Sequence, residues 1–158
     1  NAFTYSALIS ACEKGNQWTV ALRLLGTMRE ERVAPAIAAH NAVMSACGEG
    51  QQWTRALDLL RDLQAVCDAP DVATYGAAIS ACEKGGQIHW ALRLLDDMRD
   101  RGIEPNSAMY GALITTCIEG LHWQWALVLL QAMRKAGLTP SAVDYTGVID
   151  VCSQCGQW

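Results

Sequence analysis

Cysteine recurs at positions 12, 47, 82, 117 and 152, each 35 residues after the one before. Proline keeps the same step at 35, 70, 105 and 140, as do Ala21, Ala56, Ala91 and Ala126, each followed by leucine. Trp18, Trp53, Trp123 and Trp158 share a further register, in which Ile88 stands in once. A fixed period of roughly 20 to 50 residues is the mark of a solenoid or an array. Such a unit cannot bury its apolar faces alone, so its core must be a row of interfaces between neighbours.

The content of one period identifies the unit. Tyr5, Leu8, Ile9 and Cys12 fall at i, i+3, i+4 and i+7, which predicts a helix from about Thr4 to Lys14 with an apolar face. Gly15 and Asn16 then read as a helix-ending glycine and a turn. A second helix follows, with Trp18, Ala21, Leu22, Leu25 and Met28 on one face and Arg23, Arg29 and Glu30 toward water. It must end before Pro35, which cannot donate to a helix and biases its predecessor toward extended backbone. The stretch from Val72 to Asn106 is the most regular copy. In the second copy His40 replaces the tyrosine, and Cys67 and Asp68 break the pattern of the exit. Repeats are therefore expected at 2–36, 37–71, 72–106 and 107–141, with a partial one at 142–158. The first helix of that last unit has no partner helix in the sequence and is expected to fray beyond about Asp150. The chain begins at Asn1 and stops in mid-repeat, so the natural ends are expected to lie elsewhere, and nothing follows from the absence of a targeting peptide.

Composition supports folding. Hydrophobic residues make up 51% and charged residues 18%, unlike a disordered chain. No apolar run nears the ~20 residues of a membrane helix, so no membrane span is expected. Of seven cysteines, five occupy one equivalent place in successive units. Equivalent helices of neighbouring repeats should lie at least ~8 to 10 Å apart, beyond the ~7 Å Cα limit of a disulfide. Reduced, packed thiols are expected.

A 35-residue helix-turn-helix unit reading TYxxxISACEKGxQxxxALRLLxxMRxxGIxP resembles the pentatricopeptide repeat family over essentially the whole chain. The tetratricopeptide repeat, its nearest rival, has a 34-residue period and a Trp-x-x-Leu-Gly-x-x-Tyr opening that is absent here. The resemblance implies an all-α fold, a right-handed α-solenoid superhelix of helix-turn-helix repeats. It also implies binding of single-stranded RNA along the first helices, one base per repeat, in a mitochondrion or chloroplast.

In the family, bases are read mainly by the residue after the tyrosine and the residue after the closing proline, consistent with two or three reading side chains per helical repeat. That places base reading at Ser6 with Ala36, Asn41 with Asp71, Gly76 with Asn106, and Gly111 with Ser141, with Thr146 unpaired. Asn41 with Asp71 resembles the combination that favours uracil, and an amide can offer a pyrimidine edge both a donor and an acceptor. The glycines offer nothing to read with, so low sequence specificity is expected. The base-packing places hold Phe3, Ala38, Ala73, Ala108 and Val143, one aromatic among five. Lys14 and Lys84 match the family's phosphate-contacting lysine, whereas Glu49 and Glu119 fill that place in other units.

Charge favours a rival class of function. The net charge is −4, and the first helices hold Lys14 and Lys84 against Glu13, Glu49, Glu83, Glu119, Asp144 and Asp150. A phosphate-binding face is normally basic, so a protein-binding scaffold stands as the alternative to an RNA-binding array, with other proteins as partners. The remaining motifs read as structure. The register tryptophans are expected in the core, with Trp90 and Trp125 partly exposed. Cys152 and Cys155 form a CxxC without a second ligand pair. Gly85 and Gly86 form a turn and match no phosphate loop. No cofactor, metal site, small-molecule substrate or catalytic set is expected; any enzymatic domain would lie beyond Trp158.

Overall fold

The computed structural model describes residues 1–65 and 70–157. The irregular exit at Cys67 and Asp68 and the fifth register place at Trp158 lie outside the described residues. Those described are all helix, turn and link, without a strand. The helices are α1 (Ala2–Lys14), α2 (Trp18–Glu30), α3 (Ile37–Glu49), α4 (Trp53–Ala65), α5 (Val72–Lys84), α6 (Ile88–Asp100), α7 (Ser107–Glu119), α8 (Trp123–Lys135) and α9 (Ala142–Gln154). Each has 13 residues. The odd-numbered helices start 35 residues apart, at 2, 37, 72, 107 and 142, so each of the first four periods is one helical pair and α9 opens the fifth.

The starts follow from the residue before each first helix. Asn1, Asp71, Asn106 and Ser141 each turn a side-chain oxygen onto the backbone N–H three residues on, satisfying one of the donors a helix start leaves open. Asp71 with Thr74 and Ser141 with Asp144 complete reciprocal capping boxes. Because Asn1 caps, α1 begins two residues before the expected Thr4. The turns also differ from expectation. Gly15 has φ −89°, and the left-handed residue is its successor, Asn16 at φ 53°. Gln51, Gly86 and Leu121 repeat that geometry at φ 56°, 64° and 56°.

The chain divides into two compact units, Asn1–Gly85 and Gly86–Trp158. In the first, α3 touches α1, α2, α4 and α5. Ala39, His40, Ala42, Val43, Met44, Ala46, Cys47 and Gly48 are all buried. This helix is therefore enclosed on several sides, where the sequence pattern had given first helices a single apolar face. Gly48 lets α3 approach α5 closely, since an added Cβ would sit 3.0 Å from the Ala81 Cα. In the second unit α7 is the central helix, against α6, α8 and α9, and buries Met109, Tyr110, Leu113, Ile114 and Cys117.

The register tryptophans Trp18, Trp53 and Trp123 are half-buried rather than in the core as expected, and two of them have a specific counterpart. A Cβ on Gly50 would collide with the Trp18 indole, and one on Gly85 with that of Trp53. Trp90 and Trp125 are 37% and 46% exposed, as expected, with the Arg93 guanidinium over the Trp90 ring at 5.5 Å. Against expectation, α9 continues past Asp150 to Gln154. Val148 and Val151 are buried, α9 packs on α7 and α8, and the Cys155 thiol lies 3.7 Å from the Leu121 carbonyl oxygen.

Candidate functional site

The five first helices start at equivalent points, so residues at one repeat position recur at one place on each helix. In Asn1–Gly85, the residues matched to base packing, Phe3, Ala38 and Ala73, are all exposed near the start of α1, α3 and α5. Phe3 is the extreme case at 83%. One turn further along, Ser6, Asn41 and Gly76 are half-buried, and Ala36 and Asp71 stand exposed at the helix entries. In Gly86–Trp158 the pattern repeats. Ala108 and Val143 are exposed, Gly111 is half-buried, Thr146 is exposed, and Asn106 and Ser141 lie at the entries of α7 and α9.

Among the described residues, one matched pair interacts: Asn41 with Asp71. The Asn41 amide on α3 sits near enough to the Asp71 carboxylate, at the entry of α5, to favour its charged form. Burial pushes the Asp71 carboxyl up, but the Thr74 N–H and hydroxyl, the Asn41 amide and the Ala73 N–H all favour the charged form and together hold it below its ordinary 3.8. Thr74 N–H and Thr74 Oγ1 both donate to Asp71 Oδ1, each at 2.8 Å. Asn41 Oδ1 is buried and has no hydrogen-bond partner among the described residues. This asparagine therefore lies beside a carboxylate and carries an unsatisfied acceptor.

The other matched residues are less poised. Ser6 and Thr146 donate their hydroxyls to Ala2 O and Ala142 O, four residues back on their own helices. Such back-bonding turns the hydroxyl away from a ligand. Ala36 offers no side-chain cap to α3. Asn106 and Ser141, like Asp71, are engaged as helix caps. That double use was missed by reading the sequence for base readers alone, although Asp-x-x-Thr and Ser-x-x-Asp before an apolar run signal a cap.

Lys14 and Lys84 both close first helices and both are exposed. Lys84 is ion-paired with Glu49, which ends α3. Among the described residues no group of three or more His, Cys, Asp or Glu could hold a metal ion, and no helix is long and apolar enough to cross a membrane.

Two clefts recur beside the proline links. One, of about 550 Å³, is lined by Arg29, Ala34, Pro35, His40, Asp62, Leu63 and Ala65, and Arg29 and Asp62 pair at 3.1 Å along it. The other, of about 410 Å³, includes Arg99, Glu104, Pro105 and Tyr110. There Arg99 donates to the Tyr110 hydroxyl and its guanidinium lies 5.9 Å from the ring centroid.

Comparison with known proteins gives a consistent result. Two family profiles match, that of the PPR repeat family over residues 70–119 and that of the pentatricopeptide repeat domain over residues 1–50. No curated protein sequence matches the chain. Among solved structures, the pentatricopeptide repeat protein PPR10 in complex with an 18-nt psaJ RNA element is similar, with a TM-score of 0.85 at 26% identity over 98% of this chain. PPR10 from maize aligns over 99% of the chain at 25% identity, with a TM-score of 0.76. The chain spans less than a quarter of these proteins, 23% and 22%. The PPR domain of Arabidopsis thaliana protein-only RNase P 1 in complex with tRNA matches in fold, with a TM-score of 0.86 at 16% identity over 98% of this chain and 82% of that domain. Helical pairs on a 35-residue period, profile matches in both halves and these structural likenesses agree: the chain belongs to the pentatricopeptide repeat family.

Proposed function

We propose that the chain binds single-stranded RNA along its first helices, as a modular array of the repeats at 2–36, 37–71, 72–106, 107–141 and 142–158. The observation that carries the reading is Asn41. Its amide lies beside Asp71 and favours that carboxylate's charged form, and its buried Oδ1 has no hydrogen-bond partner among the described residues. The N3–H of a uracil base is a donor of the right kind, and a buried acceptor left unpaired costs about 1 to 3 kcal/mol. PPR10 and the RNase P domain, both solved with RNA, support the class of ligand.

The proposed base readers are the pairs Ser6 with Ala36, Asn41 with Asp71, Gly76 with Asn106 and Gly111 with Ser141, and Thr146. The phosphate contacts are Lys14 and Lys84. Discrimination is concentrated at Asn41, because the two glycines bring no side chain and the serine and threonine hydroxyls are turned onto their own helices. The role is binding, in RNA processing, stability, editing or translation, with no catalytic step by these residues. A mitochondrial or chloroplast setting belongs to the same proposal and rests on family membership.

Fluorescence anisotropy at low salt, with uracil-rich and adenine-rich single strands, tests it. The wild type binds with a preference for uracil-rich RNA. Asn41→Ala reduces that preference by about 5- to 150-fold at one position, the range for loss of a good base contact worth about 1 to 3 kcal/mol. Lys14→Glu weakens binding to both strands alike. Absence of binding at low salt would instead favour the protein scaffold, for which the acidic residues of the first helices speak. An unchanged preference in Asn41→Ala removes the role of that pair.

A further inference from the structure

The residues that close the first helices form a series of their own: Lys14, Glu49, Lys84, Glu119 and Gln154. In Asn1–Gly85 the series alternates in sign, and its one anion is bonded to the cation 35 residues further on. Lys84 Nζ donates to Glu49 Oε1, with the two side chains 36% and 47% exposed. Lys14, by contrast, is exposed and has no ion pair among the described residues. An exposed pair of this kind adds little to stability. Its consequence is for whatever else Lys84 could bind, since an ammonium group offers the same few N–H donors to a carboxylate and to a phosphate.

We propose that Glu49 is an internal competitor for backbone phosphate at Lys84, and that it sets both the strength and the salt sensitivity of RNA binding in this unit. The inference rests on the RNA-binding reading. A strand lying along α1, α3 and α5 meets one available cation, at Lys14, and one already neutralised, at Lys84. To engage Lys84, a phosphate must share its ammonium with the Glu49 carboxylate or displace it, and in either case that carboxylate stays nearby as a repelling charge. Counterion release counts only phosphates that are neutralised, so the pair removes one contact from that count.

The test uses Glu49→Gln, which keeps shape and polarity while deleting the charge, in the full chain. Affinity for a uracil-rich single strand is measured by anisotropy across a salt series, with thermal melting as a check on folding. Glu49→Gln is expected to bind about three- to tenfold more tightly at low salt. The plot of log affinity against log salt should steepen by about 0.7, the value for one added phosphate contact on a single strand. Adding Lys84→Gln should remove both gains. If wild type binds and Glu49→Gln matches it in affinity and slope, this inference alone is overturned. A gain that survives Lys84→Gln overturns it as well, because the effect is then one of overall charge. If neither wild type nor Glu49→Gln binds at low salt, the RNA-binding reading falls and takes the inference with it.

Discussion

Gly50 and Gly85 close their helices with ordinary backbone angles, φ −79° and −87°, so conformational freedom does not explain them. Space does, because the indoles of Trp18 and Trp53 lie where a Cβ would go. Gly50→Ala should therefore behave as an overpacking mutation and lower stability by about 1 to 3 kcal/mol, read as a lower urea midpoint. Shortening the indole in the same chain with Trp18→Leu should recover part of that loss relative to Trp18→Leu alone. The sequence displayed both periods, tryptophan and glycine, without showing that they meet. A contact between repeats leaves no local spacing to detect, and a glycine after a helix reads by default as a terminator. Asn41 was legible for a different reason, since family resemblance assigns its position, while its nearness to Asp71 and its buried free acceptor depend on how α3 and α5 pack.

At the scale of the helix, the residues matched to base reading after each proline also start the following helix. Asp71 shows the cost of that double use. Its carboxylate accepts from Thr74 N–H and Thr74 Oγ1, and its pKa is held below the ordinary 3.8. A carboxyl whose folded value is lowered adds stability that is complete above its unfolded value and fades as pH falls through the folded one. Asp71→Ala should thus destabilise the protein at pH 7 by about 0.5 to 2 kcal/mol, the range for a lost N-cap. The gap to wild type should narrow as pH drops below 3.8, followed by urea melts at successive pH values. Helix positions were the most legible part of the structure, because apolar spacing, glycine and proline repeat in phase through every copy. The inner helices α3 and α7 were less legible. Their enclosure by neighbours on several sides blurs the one-faced pattern that periodicity detects.

For the molecule as a whole, the cysteine ladder reports on packing. Cys47, Cys82 and Cys117 are buried and free, and burial pushes their thiols up to about 11, 12 and 12, with Arg55 pulling slightly the other way at Cys47. Cys12, Cys152 and Cys155 are half-exposed. Native-state alkylation at pH 8 with mass-spectrometric readout should modify those three ahead of Cys47, Cys82 and Cys117. The buried three should react only on local opening or in denaturant, because the thiolate is the reactive form and burial suppresses it. Equal rates at all six would mean that the helical pairs open freely. The glycine contacts have a further consequence. Trp18 finds Gly50 and Trp53 finds Gly85, each 32 residues downstream. Removing or duplicating residues 37–71 rejoins the chain in phase, with a glycine again 32 residues after each indole. Such an array can lengthen or shorten by recombination at repeat boundaries without having to invent a new interface.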